Sequence, residues 1–317
     1  MGQNKILLLG GSGFVGNQVA SQLAVGGFNV LVPTRRRNTT LPLGMVPNIK
    51  VVCANIHDVK VLGDLMQGVS AVINLAGILH DRDSRYPFGK NFSAVHVGLP
   101  EKIIAAMKLA GTRRLVHMSA MCAALNAPSE YLRSKAAGEQ IVLVSGLDVT
   151  VFRPSIIFGR DDACLNAFAK LIKLFKIIWV FRSKTRFQPV YVGDVAKVIM
   201  ACLNDPMTFS QIYELGGPKI YSMKELHEYL GALMGKTPLL IDLPASAEEW
   251  LATILGYLPK PPISPDNLRT MMLDNVTDGW RNYPSWDPVA LEAILPGYLS
   301  VAHPRLRFSG YRFRAGR

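Results

Sequence analysis

A glycine loop near the start of the chain constrains its fold more than any other feature. It reads Gly10-Gly11-Ser12-Gly13-Phe14-Val15-Gly16, directly after the apolar run Ile6-Leu7-Leu8-Leu9. In a nucleotide-binding βαβ unit the spaced glycines have separate tasks. Gly10 permits a tight turn, Gly13 lets the backbone approach a pyrophosphate, and Gly16 lets helix and strand pack closely. The pyrophosphate then sits at a helix N-terminus, where unpaired N–H groups and the dipole favour an anion. Ser12, Phe14 and Val15, within the same turn, join the glycines as expected cofactor contacts.

The cofactor's second ribose is read at the end of the next strand, expected over Phe28 to Val32. An NAD site places a carboxylate there to accept from the 2′-hydroxyl. This chain has no Asp or Glu before Asp58 and offers Thr34-Arg35-Arg36-Arg37 instead. Guanidinium groups suit a 2′-phosphate and give a 2′-hydroxyl nothing comparable. Arg35 and Arg36 therefore point to NADP(H).

Strand and helix patterns alternate through the first half, as in an α/β doubly wound parallel sheet of the Rossmann type. Strands are expected at Lys5–Leu9, Phe28–Val32, Lys50–Cys53, Ala71–Leu75, Arg114–Met118 and Val149–Phe152. Helices are expected at Phe14–Val25, near Val59–Met66, at Leu99–Ala110 and from Tyr131. After Gly159 the rhythm loosens, with a helical stretch near Leu165–Phe175 and another helix from Asp194. The expected division is a dinucleotide-binding domain over 1–160 with 187–217 contributing. A smaller C-terminal α/β lobe over 161–300 and a basic tail over 301–317 follow.

Tyr131-Leu132-Arg133-Ser134-Lys135 places a phenol and an ammonium four residues apart, on one helix face. A neighbouring ammonium favours phenolate and lowers the tyrosine pKa from about 10. Such a tyrosine can exchange a proton with a carbonyl or alcohol. Ser119, at a strand end twelve residues upstream, can hydrogen-bond the same oxygen. Ser119, Tyr131 and Lys135 are the candidate catalytic residues, and Lys135 can equally serve the cofactor ribose alone.

The net charge of +12 implies an acidic partner surface, anionic lipid, nucleic acid, or simply good solubility. Part of the excess lies in the tail, with Arg305, Arg307, Arg312, Arg314 and Arg317 and no carboxylate. No nucleic-acid-binding module accompanies it, so nucleic acid is not expected. Cys53, Cys122, Cys164 and Cys202 are scattered without metal spacing, which argues for reduced thiols and no metal. No run reaches the roughly 18 apolar residues of a transmembrane helix. Leu165–Phe181 is strongly apolar with Lys170, Lys173 and Lys176 spaced by three. It reads either as a helix packed on the lobe with a lysine rim or as a membrane-surface segment with snorkelling lysines.

Together Gly10, Gly13, Gly16, Asn74-Leu75-Ala76-Gly77, Ser119, Tyr131, Lys135 and Arg153-Pro154-Ser155-Ile156-Ile157-Phe158-Gly159 resemble the extended or atypical short-chain dehydrogenases/reductases. Within them, Thr34-Arg35-Arg36, His117-Met118-Ser119-Ala120, Tyr131–Lys135, Phe158–Asp162 and Gln188–Val195 are similar to one branch. That branch holds the NADPH-binding accessory subunits of respiratory complex I and their bacterial relatives. The resemblance implies cofactor contacts from Leu75, Ala76 and Gly77, and from Pro154 and Ile156 at the nicotinamide end. It implies adenine contacts near Asn55 and Ile56, where many extended reductases have an Asp. His96 stands where many active epimerases have an Asn.

The implied function is to hold NADPH beside a membrane respiratory complex, as an accessory or assembly-type protein. The alternative is an NADP(H)-dependent reductase, dehydrogenase or epimerase acting on a small or quinone/lipid-like substrate through Tyr131 and Lys135. The expected location is cytoplasmic, peripheral on the inner face of the cytoplasmic membrane. Expected partners are the respiratory complex or an anionic membrane surface, with a small-molecule substrate if the protein turns over.

Overall fold

The computed structural model describes residues 4–35, 41–83, 85–257, 263–279 and 282–300. Along the first half, strands and helices alternate as β1 (Lys5–Leu9), α1 (Phe14–Val25), β2 (Asn29–Thr34), α2 (Leu41–Gly44), β3 (Ile49–Cys53), α3 (Val59–Leu65) and β4 (Ala71–Asn74). The short α4 (Lys90–Phe92), a π-helical turn (Ser93–Gly98), α5 (Leu99–Ala110), β5 (Arg114–Met118), α6 (Glu130–Leu143) and β6 (Asp148–Pro154) follow. Beyond them lie β7 (Ile157–Phe158), α7 (Cys164–Leu174), β8 (Ile177–Val180), β9 (Arg186–Phe187), β10 (Val190–Tyr191) and α8 (Val192–Cys202). The remaining principal elements are β11 (Gln211–Leu215), β12 (Tyr221–Ser222), α9 (Met223–Leu233), β13 (Leu239–Asp242), α10 (Ala245–Gly256) and α11 (Pro265–Thr270). The short α12 (Leu291–Ile294) and α13 (Pro296–Leu299) close the series.

Two compact units are built from these elements. The described residues of Met1–Pro154, Val192–Leu215 and Thr277–Ser285 form the first. Its seven strands pair in parallel in the order β11-β6-β5-β4-β1-β2-β3. Helices cover a parallel sheet on both faces, which is why Ile6, Leu7, Leu8 and Leu9 are all essentially sealed from water. Leu9, Leu62, Val72, Ile103, Leu115 and Val151 belong to one continuous core cluster. Strand order reverses between β1 and β4, so the crevice for a ligand opens beyond their C-terminal ends. The doubly wound sheet expected from the sequence is the architecture found.

The second unit takes the described residues of Ser155–Tyr191, Gly216–Val276 and Trp286–Arg317. Three two-stranded pairings occur in it: β7 with β10 in parallel, β9 with β12 antiparallel, and β8 with β13 in parallel. Phe158, Leu165, Ile172, Val180, Leu226 and Leu295 share its core. These pairings move the expected boundaries. Because Ile157 pairs with Val190, both segments stay in the second unit, and the return to the first begins at Val192 instead of near residue 187. Thr277–Ser285 also joins the first unit, where Asn282 bridges Glu214. The expected basic tail, 301–317, lies outside the described residues.

Candidate functional site

The glycine loop joins β1 to α1 at the point where strand order reverses. Gly10 adopts φ +78°, and a Cβ there would sit 2.8 Å from the Leu75 carbonyl carbon in the neighbouring loop. At Gly16 a Cβ would strike the Gly10 carbonyl oxygen, so the first turn of α1 rests directly on the loop. Gly13 differs: its Cβ would approach only the Gly10 oxygen, at 3.3 Å. The protein's own packing demands glycine at 10 and 16, whereas at 13 a single backbone oxygen stands near the Cβ position among the described residues. No side chain caps the N-terminus of α1, and its first turn carries no acid. That end therefore presents N–H groups and the positive dipole end to the crevice.

Adjacent strand ends complete this side. The Thr34 carbonyl accepts from Ala54 N at 3.0 Å, bringing the exposed Arg35 beside the loop after β3. In that loop Asn55 Oδ1 accepts from His57 N at 3.1 Å, and Ile56 packs against the core. The ring of His57 is held below its ordinary pKa by burial and then by the charges of Lys102 and Arg35. Arg36, expected to share the 2′-phosphate, lies outside the described residues. After β4, Leu75 N donates to the Leu9 carbonyl at 2.9 Å and Ala76 N to Asn74 Oδ1 at 3.2 Å. Asn74 in turn lies 3.2 Å from His117 Nδ1, a buried ring whose pKa burial pushes down to about 3.

The candidate catalytic residues gather on β5 and α6. Ser129 caps α6 by accepting from Leu132 N at 3.2 Å, which starts the helix in register for Tyr131 and Lys135. Lys135 Nζ donates to the Met118 carbonyl at 3.1 Å, at the end of β5. Burial lowers this amine to about 8. A Cβ on Gly77 would stand 3.2 Å from Lys135 Nζ, so the loop after β4 passes directly over the amine. Ser119 N donates to the Phe152 carbonyl at 2.8 Å, while its buried hydroxyl has no hydrogen-bond partner among the described residues. A buried hydroxyl is costly to leave unpaired, and such a group is suited to receive a ligand oxygen.

One expectation is corrected here. Lys135 does not lower the Tyr131 pKa. Although Tyr131 retains some exposure, desolvation around its hydroxyl pushes the phenol up to about 12. The ammonium is engaged by the Met118 carbonyl and the phenol stays protonated.

His96, noted as a departure from the usual Asn, sits in the π-helical turn and is buried. Ile78 N donates to its Nε2 at 3.1 Å, so the ring proton resides on Nδ1 and is donated to Ser134 Oγ at 2.8 Å. The Ser134 hydroxyl in turn donates a hydrogen bond to the Tyr131 carbonyl at 2.7 Å. Phe92 stacks on the imidazole with centroids 5.4 Å apart, and Tyr131 meets it edge-on at 5.7 Å. Burial pushes the His96 pKa down to about 2. Sequence reasoning missed the parts played by Ser134 and His117. Their signal was small: a serine three residues after Tyr131 in the same helix, and a histidine inside an apolar strand.

Of the remaining expected contacts, Pro154 closes β6 and its carbonyl accepts from Met121 N at 3.1 Å. Ile156 lies in the second unit, where its carbonyl accepts from Val190 N at 2.9 Å. Glycine loop, uncapped helix end and flanking strand ends fit a dinucleotide diphosphate. Among the described residues no group of His, Cys, Asp and Glu could hold a metal.

Comparison with known proteins agrees with this geometry. A family model described as NAD(P)H-binding matches residues 10–206. NADH dehydrogenase (ubiquinone) 1 alpha subcomplex subunit 9, mitochondrial, from Arabidopsis thaliana is 32% identical over 249 residues, 75% of this chain. The chain spans 60% of that relative's length. The subunit of the same name from Mus musculus is 30% identical over 80% of this chain and 68% of its own length. Among solved structures, UDP-glucuronic acid 4-epimerase from Bacillus cereus, in complex with UDP-glucuronic acid and NAD, superposes with a TM-score of 0.67. It covers 84% of this chain and 97% of its own at 18% identity, a likeness of fold.

Proposed function

Because this chain belongs to the NAD(P)H-binding family, and to that of the mitochondrial NADH dehydrogenase (ubiquinone) 1 alpha subcomplex subunit 9, we propose that it holds NADP(H) as an accessory or assembly-type protein of a membrane respiratory complex. The observation that carries the reading is the uncapped N-terminus of α1 behind a loop in which one backbone oxygen alone, at 3.3 Å, stands near the Cβ position of Gly13 among the described residues. Gly10, Ser12, Gly13, Phe14, Val15 and Gly16 hold the diphosphate. Arg35 and Arg36 bind the 2′-phosphate, and Asn55 and Ile56 border the adenine. Leu75, Ala76 and Gly77 line the middle of the cofactor. Tyr131 and Lys135 hold the nicotinamide ribose, and Pro154 and Ile156 flank the ring. Bound NADPH supplies hydride-transfer chemistry. Peripheral attachment to the inner face of the cytoplasmic membrane accords with the described residues, none of whose helices is long and apolar enough to cross a membrane.

Purification from native membranes in mild detergent, followed by mass spectrometry, tests this reading. NADH dehydrogenase subunits and stoichiometric NADPH in the preparation support it. A partner-free protein that loses its cofactor readily contradicts it.

The unpartnered hydroxyl of Ser119 favours a second reading, as a reductase, dehydrogenase or epimerase. There Ser119 orients a substrate oxygen and Tyr131, protonated at neutral pH, donates to it. Lys135 holds the ribose and restores charge balance as the phenol gives up its proton.

A further inference from the structure

The second unit carries a strand pair whose outward face is apolar. In the β8–β13 pair, Ile177 lies opposite Leu239 and Trp179 opposite Ile241. Alternation sends Ile178 and Val180 into the core, where they are 5% and 1% exposed. The other parity points outward: Ile177, Trp179, Leu239 and Ile241 are 52, 55, 60 and 38% exposed. A solvated strand face ordinarily carries polar side chains, and a contiguous apolar patch marks an interaction surface. Helix α7 leads into this face. It buries Leu165, Ala169 and Ile172, then exposes Leu174 and Phe175 just before β8. Packing of α7 on its lobe therefore accounts for one face of the helix and leaves the adjoining run unexplained.

Charge along the run into the patch is positive, and the one carboxylate of the strand pair stands at its far end. No Asp or Glu occurs between Asp162 and Asp194, nor between Glu228 and Asp242. Lys170, Lys173 and Lys176 are exposed, and the Lys176 carbonyl accepts from Leu239 N at 2.8 Å, joining the lysine run to the start of β13. The carboxylate at the end of the pair, Asp242, has the parity opposite to Leu239 and Ile241 and lies 3.8 Å from Lys224. Arg182 and Arg186 are paired with Glu248 and Asp274, which leaves the lysines to set the field beside Trp179.

We propose that this face is a docking surface for an anionic lipid bilayer. Trp179, Ile177, Leu239 and Ile241 enter the boundary between headgroups and acyl chains, where indole is favoured. Lys173 and Lys176 extend to lipid phosphates while their stems cover apolar surface. A second copy of the chain is a poorer occupant, because a two-fold contact through this patch sets the same lysines against one another. The proposal deepens the membrane-peripheral part of the proposed function and does not depend on the cofactor.

Co-sedimentation of the full chain with two kinds of vesicle tests it: phosphatidylcholine alone, and phosphatidylcholine with phosphatidylglycerol. The protein is expected to sediment with the anionic vesicles, release with added salt, and leave the neutral vesicles largely unbound. Trp179→Ser and the double variant Lys173→Gln/Lys176→Gln are each expected to weaken anionic partition about tenfold or more. Both change exposed positions and should keep thermal stability and NADPH binding, which checks folding. Both retain the arginines after residue 300, so a loss reports on the patch. Absence of vesicle binding, equal binding to both vesicles, or unchanged binding in the variants overturns the proposal. A wild-type dimer that Trp179→Ser dissolves overturns it in favour of a second copy. Such a failure leaves cofactor holding and complex association intact, because purification from membranes tests those separately.

Discussion

His96 Nδ1 stands 2.8 Å from Ser134 Oγ, and that contact ties the π-helical turn to the helix bearing Tyr131 and Lys135. Both ring nitrogens are used, since Nε2 accepts from Ile78 N at 3.1 Å. A ring in this position works as a strut, setting α6 against the crevice through hydrogen bonds with no titration of its own. His96→Ala removes two buried hydrogen bonds and opens a cavity beside Phe92. It is expected to lose about 2–4 kcal/mol in urea unfolding. His96→Asn, which can replace one of the two contacts, is expected to lose less.

Acid should weaken the fold through the same ring and its neighbour. His96 and His117 are held down to about 2 and about 3, so both are neutral in the folded protein. In the unfolded chain they titrate near 6.5. Their stabilising contribution is fully present above that pH. It is lost progressively as pH falls toward the folded values, because the unfolded chain then binds more protons. Between pH 7 and pH 5 each ring should cost about 2 kcal/mol of stability. Urea unfolding at both values measures this, and His117→Asn should flatten the slope. A stability independent of pH over this range would contradict the burial of both rings.

The glycine loop separates packing from binding. Gly16→Ala drives a methyl group into the Gly10 carbonyl and should lower the melting temperature by several degrees. Gly13→Ala meets only one atom, at 3.3 Å. It should leave stability within about 1 kcal/mol of the parent while weakening NADPH binding tenfold or more. Calorimetric unfolding together with cofactor titration distinguishes the two variants. Equal stability loss in both would mean that Gly13 is a packing glycine as well.

Much of this was legible because the signals are local. The run Ile6–Leu9 followed by Gly10, Gly13 and Gly16 defines a strand, a turn and a helix without reference to the rest of the chain. Tyr131 and Lys135 share a helix face by periodicity alone. What the sequence hid depends on three-dimensional surroundings. Tyr131 titrates high because desolvation outweighs a lysine that the Met118 carbonyl engages. Ser134 and His117 become parts of the site only when the loop after β4 packs against α6 and β5. The apolar face of β8 was masked because Ile177–Val180 is uniformly hydrophobic, and only pairing with β13 shows which parity points outward.

Charge at the end of β2 should decide between the two nicotinamide cofactors. Arg35→Asp removes a guanidinium from the expected 2′-phosphate position and adds a carboxylate there. NADPH affinity is expected to fall about tenfold to a hundredfold, the range for hydrogen bonds to charged groups. NADH affinity should stay level or rise. Paired titrations read this directly, and an unchanged ratio would remove Arg35 from the site.

Tyr131→Phe separates holding from turnover. The phenol hydroxyl makes at most one contact with a ribose, so NADPH retention is expected to stay within about tenfold of the parent. Membrane preparations from the variant should keep their respiratory activity. Loss of a measurable NADPH-dependent reaction would move the protein to the enzymatic reading.

Identifying the nucleotide carried by the freshly purified full chain tests the central claim most directly. Native mass spectrometry, with chromatography of the nucleotide released on denaturation, gives both stoichiometry and identity. One NADP(H) per chain, surviving dilution and gel filtration, is the predicted result. A chain that carries NAD(H), or that binds neither dinucleotide when both are supplied, would contradict it.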